Sequence, residues 1–352
     1  MIPLLAPSRK VQQSPFPNNV EAATWQQCQR CLPHAQVCAV LVDQYGLATA
    51  SGAHLFNQAG YYLKERALHA EAEAFYRRAL AIREQVLGPE HLDTAQSLYN
   101  LARLYYEQGK YADGEQLYVR VLAIRERVLG PEHPDTAQCI NSLALLYWAW
   151  GKYAQAEPLY QRALPIREMM LGPEHPDTAH CLNNLALLYV SQGKYVEAEQ
   201  LHLQVLAIRQ KVLPPDHPDT AQTLQNLAGL YYVQEDQSKY AEAERLYQRS
   251  LAIREQVLGP EHLQTAKSLH NLALLYEAQG KYREAEPLYQ RALAIREKVL
   301  GPANPKTTST LESYTALLRK THRVQDAVLL EAHLQAIQVL AAHEEGERDG
   351  GT

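Results

Sequence analysis

The fold is decided by the stretch GPEHPDTAHCLNNLALLYVSQGKYVEAEQLHLQVLAIRQKVLP, residues 172–214, because close copies of it precede and follow it. Its first word, GPEH or a variant of it, begins at Gly88, Gly130, Gly172, Pro214, Gly259 and Gly301. Successive copies are 42 residues apart, except for one interval of 45 where YYVQEDQSKY (231–240) carries three extra residues. A fixed period of this length predicts a repeat architecture in which each copy packs mainly against its neighbours.

Each copy has the apolar pattern of two helices joined by a turn. In one copy the first helix carries apolar or small residues at i, i+3, i+4 and i+7, namely Leu98, Leu101, Ala102 and Tyr105. The turn EQGKY follows, where Gly109 suits a left-handed helix end. The second helix is predicted through ADGEQLYVRVLAIRERVL, with Leu117, Val121, Ile124 and Val128 on a common side. The next GPEHP ends this helix, because proline cannot continue it.

The bulk composition predicts a soluble protein. The net charge is −5 and the pI is near 6.3, which argues against the clustered basic face of a nucleic-acid or anionic-membrane binder. No apolar run is long enough to span a bilayer, and MIPLLAPSRK has its apolar residues before its charges, the wrong order for a secretory signal. We therefore expect a cytoplasmic protein with neither nucleic acid nor membrane as a partner. The oligomeric state stays open.

Two patterns suggest metal binding at first sight, and both are better explained by structure. Cys28 and Cys31 form a single CxxC, but a zinc site needs two further ligands at suitable spacing. The GPEHPD word places a histidine beside carboxylates in each copy, but these histidines are a whole repeat apart. Helix-end chemistry copied with each repeat is the preferred interpretation. No metal, cofactor or catalytic residue is therefore predicted.

The repeat resembles a known family, the tetratricopeptide repeat proteins. The order of leucine, a small residue and tyrosine in LARLYY, followed by alanine and tyrosine in AEPLYQRA, is similar to that family's signature. The 42-residue form with LNNLALLY, QGKY and ALAIRE looks specifically like kinesin-light-chain-type repeats. The match covers residues 49–341. The resemblance implies an all-α fold, a right-handed superhelical solenoid of antiparallel helix pairs.

The expected organisation has four parts. A disordered tail (1–21) and a helical N-terminal cap (22–48) precede the solenoid (49–341), and a second disordered tail (342–352) follows it. The solenoid should hold about seven helix pairs. The first and last are degenerate, because ERALHA replaces the QGKY turn in one and SYTALLRKTHRVQDAV keeps only the outline of the pattern in the other. Such atypical end repeats usually act as caps.

The first helices repeat an asparagine that helix stability does not explain, since asparagine is a middling helix former. On a helical wheel Asn100 points nearly opposite the core stripe. In tetratricopeptide proteins the first helices line a concave groove, and asparagine there commonly holds a peptide backbone. The resemblance therefore implies a peptide-binding groove that contains Asn100, Asn141, Asn183, Asn184, Asn226, Asn271, Leu145, Leu187, Trp148 and Lys267. An alternative stays open, in which the asparagines are uninformative products of duplication or bond to each other between repeats.

Three classes of function remain. The favoured one is an interaction scaffold that binds a protein or peptide partner in the groove. The second is a sensor module of a STAND-type ATPase system, because WQQCQRCLPHAQVCAVLVDQYGL (25–47) resembles the helical segment before the repeats of such proteins. The chain has no GxxxxGK[ST] phosphate loop, so the ATPase would be another chain. An enzyme is the third class, but no nucleophile elbow, metal cluster or phosphate loop appears.

Overall fold

The computed structural model describes residues 25–46 and 48–349, which form α-helices without a β-strand. The helices are α1 Trp25–Tyr45, α2 Ala50–Glu65, α3 His69–Val86, α4 Leu92–Glu107, α5 Tyr111–Leu129, α6 Pro134–Ala149, α7 Tyr153–Leu171, α8 Pro176–Ser191, α9 Tyr195–Val212, α10 Pro218–Val233, α11 Tyr240–Leu258, α12 Leu263–Ala278, α13 Tyr282–Leu300, α14 Pro305–Lys320 and α15 Val324–Asp349. The predicted all-α class is confirmed.

From α2 onward the helices form pairs, and each pair is one repeat. The chain divides into two compact units, Met1–Pro173 (unit 1) and Glu174–Thr352 (unit 2). Within each unit the second helix of a repeat also packs against the first helix of the next. First helices of neighbouring repeats contact each other, as α2 and α4 or α10 and α12 do, whereas no comparable contact joins the described second helices. The first helices therefore line the inner side of each unit.

The helix starts are built by the repeated histidine. In five repeats a histidine Nδ1 accepts a hydrogen bond from the backbone N–H two residues later, at 3.0–3.1 Å, as the N-cap of the first helix. These caps are His91, His133, His175, His217 and His262. A threonine three residues on, such as Thr136, donates back to the carbonyl of the GPEH glycine. This satisfies groups that a helix end leaves unpaired, and it is the helix-end role that the sequence favours.

Small residues let neighbouring helices approach closely, within a repeat and between repeats. A Cβ added to Gly60 would lie 2.9 Å from the ring of Tyr76, and one added to Gly114 would lie 2.7 Å from Leu146. Tyr76 and its counterparts Tyr160 and Tyr289 are fully buried and fill the space between the helices. One prediction is wrong in detail, because Val128 is 49% exposed instead of packing with Val121 and Ile124.

A buried arginine lies near the end of the second helix of each full repeat. These stacking arginines are Arg83, Arg125, Arg167, Arg209, Arg254 and Arg296, each at most 7% exposed. The guanidinium of Arg209 donates to the carbonyl oxygen of Asp219 at 2.6 Å and to the Thr223 hydroxyl at 2.7 Å. Arg83 makes the same two bonds to the repeat that follows it. Within a unit, such an arginine thus fixes how far one repeat is shifted against the next.

At its C-terminal end, the described helix extends past the expected boundary of the solenoid. Helix α15 continues to Asp349, into the segment 342–352 for which the sequence predicts a disordered tail. The predicted N-terminal tail, 1–21, lies outside the described residues, as do residues 350–352. The predicted cap, 22–48, contains α1, which packs against α2 through Cys28, Ala35 and Ala39.

The turn between α2 and α3 has a non-glycine residue, Ala67, in the left-handed region of backbone conformation. Ala67 has φ 58°, where Gly109 has φ 72° in the equivalent turn of the next repeat. Non-glycine residues pay about 1–2 kcal/mol in this region, while glycine pays an entropic cost of about 0.5–1 kcal/mol. We expect Ala67→Gly to stabilise the fold by about 0.5–1 kcal/mol and Gly109→Ala to destabilise it by a similar amount. Urea unfolding of both variants measures this, and a loss of stability in Ala67→Gly would contradict it.

The three-residue insertion generates a second prediction. Deleting Glu235, Asp236 and Gln237 restores the 42-residue period, and loop length alone costs little. However, Glu235 holds the left-handed position of this turn at φ 54°, and Ser238 would take its place. We expect the plain deletion to be about 1 kcal/mol less stable than the deletion combined with Ser238→Gly, which should match the parent. Thermal melting tests this, and unfolding of the combined variant would show that the insertion itself packs.

Candidate functional site

The candidate groove residues lie on the inner side of two separate units. Asn100, Asn141, Leu145 and Trp148 belong to unit 1, and the other six belong to unit 2. The leucines and Trp148 are half-buried, whereas Lys267 is exposed. Each unit therefore presents its own face of partly open apolar and polar side chains. In unit 2 this inner face consists of Asn226, Asn271, Leu187, Leu274, Tyr232 and Lys267.

Three of the six candidate asparagines, Asn100, Asn183 and Asn226, hold neighbouring repeats together. The Nδ2 amide of Asn100 donates to Oδ1 of Asn57 at 3.0 Å, and Asn226 donates to Asn183 in the same way at 2.9 Å. Asn141, Asn183 and Asn184 are 4–6% exposed. Bonding between repeats is the alternative that the sequence leaves open, and it accounts for Asn100 and Asn226. Their carboxamides are already engaged with the protein itself.

Two hydrogen-bond chains extend this bonding to the stacking arginines. In unit 2, Arg254 Nη2 donates to Oε1 of Gln222 at 2.8 Å, and Gln222 Nε2 donates to Oδ1 of Asn226 at 2.6 Å. In unit 1, Arg125, Gln96 and Asn100 are joined in the same order. Sequence reasoning missed the glutamines and the arginines. The sequence does carry a signal for both. A glutamine recurs four residues before the asparagine, and an arginine ends every AIR word.

Asn271 differs from its counterparts. It is half-buried on α12, and among the described residues no hydrogen bond joins its carboxamide to another group. The oxygen of Gln225, which stands where Asn183 stands one repeat earlier, is instead occupied by Ser268 and Arg254. Asn271 therefore keeps both its donor and its acceptor capacity, one turn from Leu274 and one turn from Lys267.

The charge around Lys267 is uniformly positive. Desolvation by the surrounding protein lowers the pKa of Lys267 although part of its side chain reaches solvent, and the positive charges of Arg254, Lys306 and Arg296 lower it further. Burial also lowers the pKa of Arg254, to about 10. No carboxylate among the described residues forms an ion pair with these four groups. This end of the unit 2 inner face is therefore a cationic patch.

Unit 2 also holds a histidine that nothing pairs. His202 is fully buried on α9 at a position where other repeats have tyrosine, and neither ring nitrogen has a hydrogen-bond partner. Burial, with a smaller contribution from the positive charge of Arg209, lowers the pKa of His202 to about 4. Burial at this position therefore favours the neutral imidazole.

This histidine makes stability depend on pH. The unfolded state binds the proton near pH 6.5 and the folded state only near pH 4, so the stabilising contribution is complete above pH 6.5 and is lost as the pH falls toward 4. The loss from His202 should be about 2 kcal/mol at pH 5. We expect His202→Tyr, which introduces the residue found at the equivalent positions Tyr160 and Tyr247, to remove this pH-dependent loss of stability. Urea unfolding at pH 7 and pH 5 measures it, and an equal loss in the variant would contradict the assignment.

Neither a metal cluster nor a membrane-crossing helix is found in the part of the chain that the structure describes. Within 25–46 and 48–349, no three or more histidine, cysteine, aspartate or glutamate side chains are grouped to hold a metal ion. None of the described helices combines the length and apolar character that crossing a bilayer requires.

Family models for the tetratricopeptide repeat match most of the repeats. One model matches residues 52–113, 105–169 and 232–298, and a second matches residues 178–219. Together they cover more than half of the chain. No curated protein matches it.

Three solved structures show what the chain is similar to. A variant of a Podosopora anserina putative kinesin light chain with nearly identical TPR-like repeats is 31% identical over 60% of this chain and 98% of that one, with a TM-score of 0.50. The Rap conjugation gene regulator of the plasmid pLS20, in complex with the Phr* peptide, is 16% identical over 82% of this chain and 76% of that one, with a TM-score of 0.59. Aspartyl phosphate phosphatase F from Bacillus subtilis is 13% identical over 85% and 73%, with a TM-score of 0.61. The last two show likeness of fold alone.

Proposed function

Because this chain belongs to the tetratricopeptide repeat family, we propose that it is an interaction scaffold whose unit 2 inner face binds an extended segment of a partner protein. The observation that carries the proposal is Asn271, a half-buried carboxamide on the inner side of the repeats with no hydrogen bond to the described residues. An amide of this kind matches the donor and acceptor of a peptide unit whatever the side chains of that peptide.

The surroundings of Asn271 support the same binding mode. Leu274 and Leu187 are half-buried, so their outer surfaces remain open to an apolar side chain of a bound segment. Tyr232 is half-buried as well and offers an aromatic face with a hydroxyl. A row of apolar contacts with a few placed polar groups is typical of sites that hold peptides. The pLS20 regulator that was solved with a peptide has a similar fold, which is compatible with this use.

Alanine substitutions of the asparagines should have two different effects, one on binding and one on stability. Asn271→Ala removes a carboxamide that only a ligand would use, so it should weaken binding about two- to twelvefold, the equivalent of a net hydrogen bond of about 0.5–1.5 kcal/mol. The stability of the Asn271→Ala variant should not fall, since alanine is a better helix former than asparagine. Asn226→Ala should instead lower stability, because it breaks the bonds to Asn183 and Gln222.

The experiment begins with selection of twelve-residue peptides from a displayed random library against the whole chain. One selected peptide is then titrated by calorimetry into the parent, Asn271→Ala and Asn226→Ala, with melting curves alongside. Gln200→Ala is the control, because it removes an exposed carboxamide from α9, a second helix, and should leave both affinity and stability unchanged. Unchanged affinity in a folded Asn271→Ala variant would refute the proposed role of the unit 2 inner face.

The sensor module of a STAND-type ATPase system is kept as an alternative function. It rests on the resemblance of residues 25–47 alone, and the matching family models are repeat models. A partner ATPase that binds the purified chain only in the presence of nucleotide would favour it over the scaffold.

A further inference from the structure

The sixth repeat, α12 and α13, lacks a hydrogen-bond acceptor that two other repeats supply. Arg125 and Arg254 each donate from Nη2 to a glutamine Oε1 on the first helix of their own repeat, at 3.1 and 2.8 Å. The residue at that place in the sixth repeat is Lys267, whose ammonium can only donate. Arg296 Nη2 consequently has no hydrogen-bond partner among the described residues, although Nη1 keeps its bond to the Lys306 carbonyl at 2.8 Å.

The same region has also lost its negative charges. The second residue of the first helix is aspartate in four repeats, Asp93, Asp135, Asp177 and Asp219. Attraction to Asp93 and Asp219 opposes the effect of burial on the pKa of Arg83 and Arg209. The next two repeats have Gln264 and Lys306 there instead. Four cationic groups, Arg254, Arg296, Lys267 and Lys306, therefore share one region without a paired carboxylate among the described residues.

Arg254 and Arg296 are buried, and burying positive charge is unfavourable unless a counter-charge is bound. A buried donor with no partner adds a second independent sign, because Nε2 of Gln225 is unpaired and Gln225 is 2% exposed. Its own oxygen accepts from Arg254 and from Ser268, the residue next to Lys267. Gln225 thus bonds to Arg254 and to the sixth repeat through its oxygen and keeps an unused donor.

We propose that this cationic patch binds a phosphate dianion, carried as a phosphorylated side chain on the segment that the unit 2 inner face holds. One phosphate oxygen takes the place of the missing glutamine oxygen between Arg296 and Lys267, and the exposed Lys306 pairs with another. A carboxylate would bring one charge, whereas a phosphate brings close to two together with three acceptor oxygens. The phosphate group therefore fits a patch of four cations better. The proposal rests on the proposed function only for the segment that carries the phosphate.

The test uses small probes on the full chain, so that it does not depend on a peptide partner. N-acetyl-phosphoserine amide, inorganic phosphate, N-acetyl-glutamate amide and N-acetyl-serine amide are titrated at constant ionic strength. The amide NMR signals of Lys267 and Ser268 report binding, and melting temperature reports stabilisation. We expect phosphoserine to bind at least about fivefold more tightly than glutamate, the ratio for about 1 kcal/mol of added attraction, and serine not to bind. Tighter binding of inorganic phosphate than of phosphoserine would identify a free-anion site and overturn the assignment to a side chain.

Two variants make the test specific. Lys267→Gln restores the glutamine of the other repeats, so it should abolish the phosphoserine response while melting at or above the parent temperature. Lys306→Gln removes an exposed cation and should weaken the response severalfold without altering the fold. Equal binding of glutamate and phosphoserine, no response in the parent, or a full response in folded Lys267→Gln would each overturn the proposal. Peptide binding that depends on Asn271 without any phosphoserine response would leave the scaffold function intact and remove only the phosphate site.

Discussion

The stack depends on a guanidinium that is taken out of water in every full repeat. A buried arginine is tolerable only if its donors are bonded, and two of the acceptors of Arg209, the Asp219 carbonyl and the Thr223 hydroxyl, belong to the next repeat. Any other shift between repeats would leave those donors unpaired.

The arginines also explain why the inner side is polar. In two repeats the guanidinium passes its hydrogen bonding through a glutamine to an asparagine, as Arg254 does through Gln222 to Asn226. These carboxamides are therefore part of the stacking interaction, and their recurrence does not by itself indicate ligand binding. A carboxamide outside such a chain has a different meaning. Asn271 lies one turn after Lys267, which cannot accept a hydrogen bond from the arginine as a glutamine does. This single replacement of glutamine by lysine leaves the Asn271 amide and the Arg296 guanidinium with unused hydrogen-bonding groups.

The period and the helical wheel predict much of this fold. They give the helix pairs, the small residues at the helix contacts, the buried tyrosines and the helix-end histidines, because each depends on its own helix or on the turn beside it. The wheel shows correctly that Asn100 leaves the core stripe of α4, but it carries no information about Asn57 on α2, which lies 3.0 Å away. Val128 also departs from the expectation of the wheel, since it lies near the end of α5 and is 49% exposed. What the sequence could not supply is the contact between repeats.

Near-identical repeats are poor guides to function, because whatever all of them share also serves to stack them. Information about a ligand must then come from positions where one repeat departs from the others without a structural reason. The insertion of Glu235 to Gln237 is one such departure, and the structure explains it only in part. Lys239, which follows the insertion, still bonds to Glu199 at 2.8 Å and keeps the turn in place. The changes from aspartate to Gln264 and Lys306, and from glutamine to Lys267, have no structural reason. They raise the charge of a partly buried surface and remove an acceptor, both of which cost stability in the isolated chain. A surface that is unfavourable when empty and adjoins an open apolar face is best explained by what binds it.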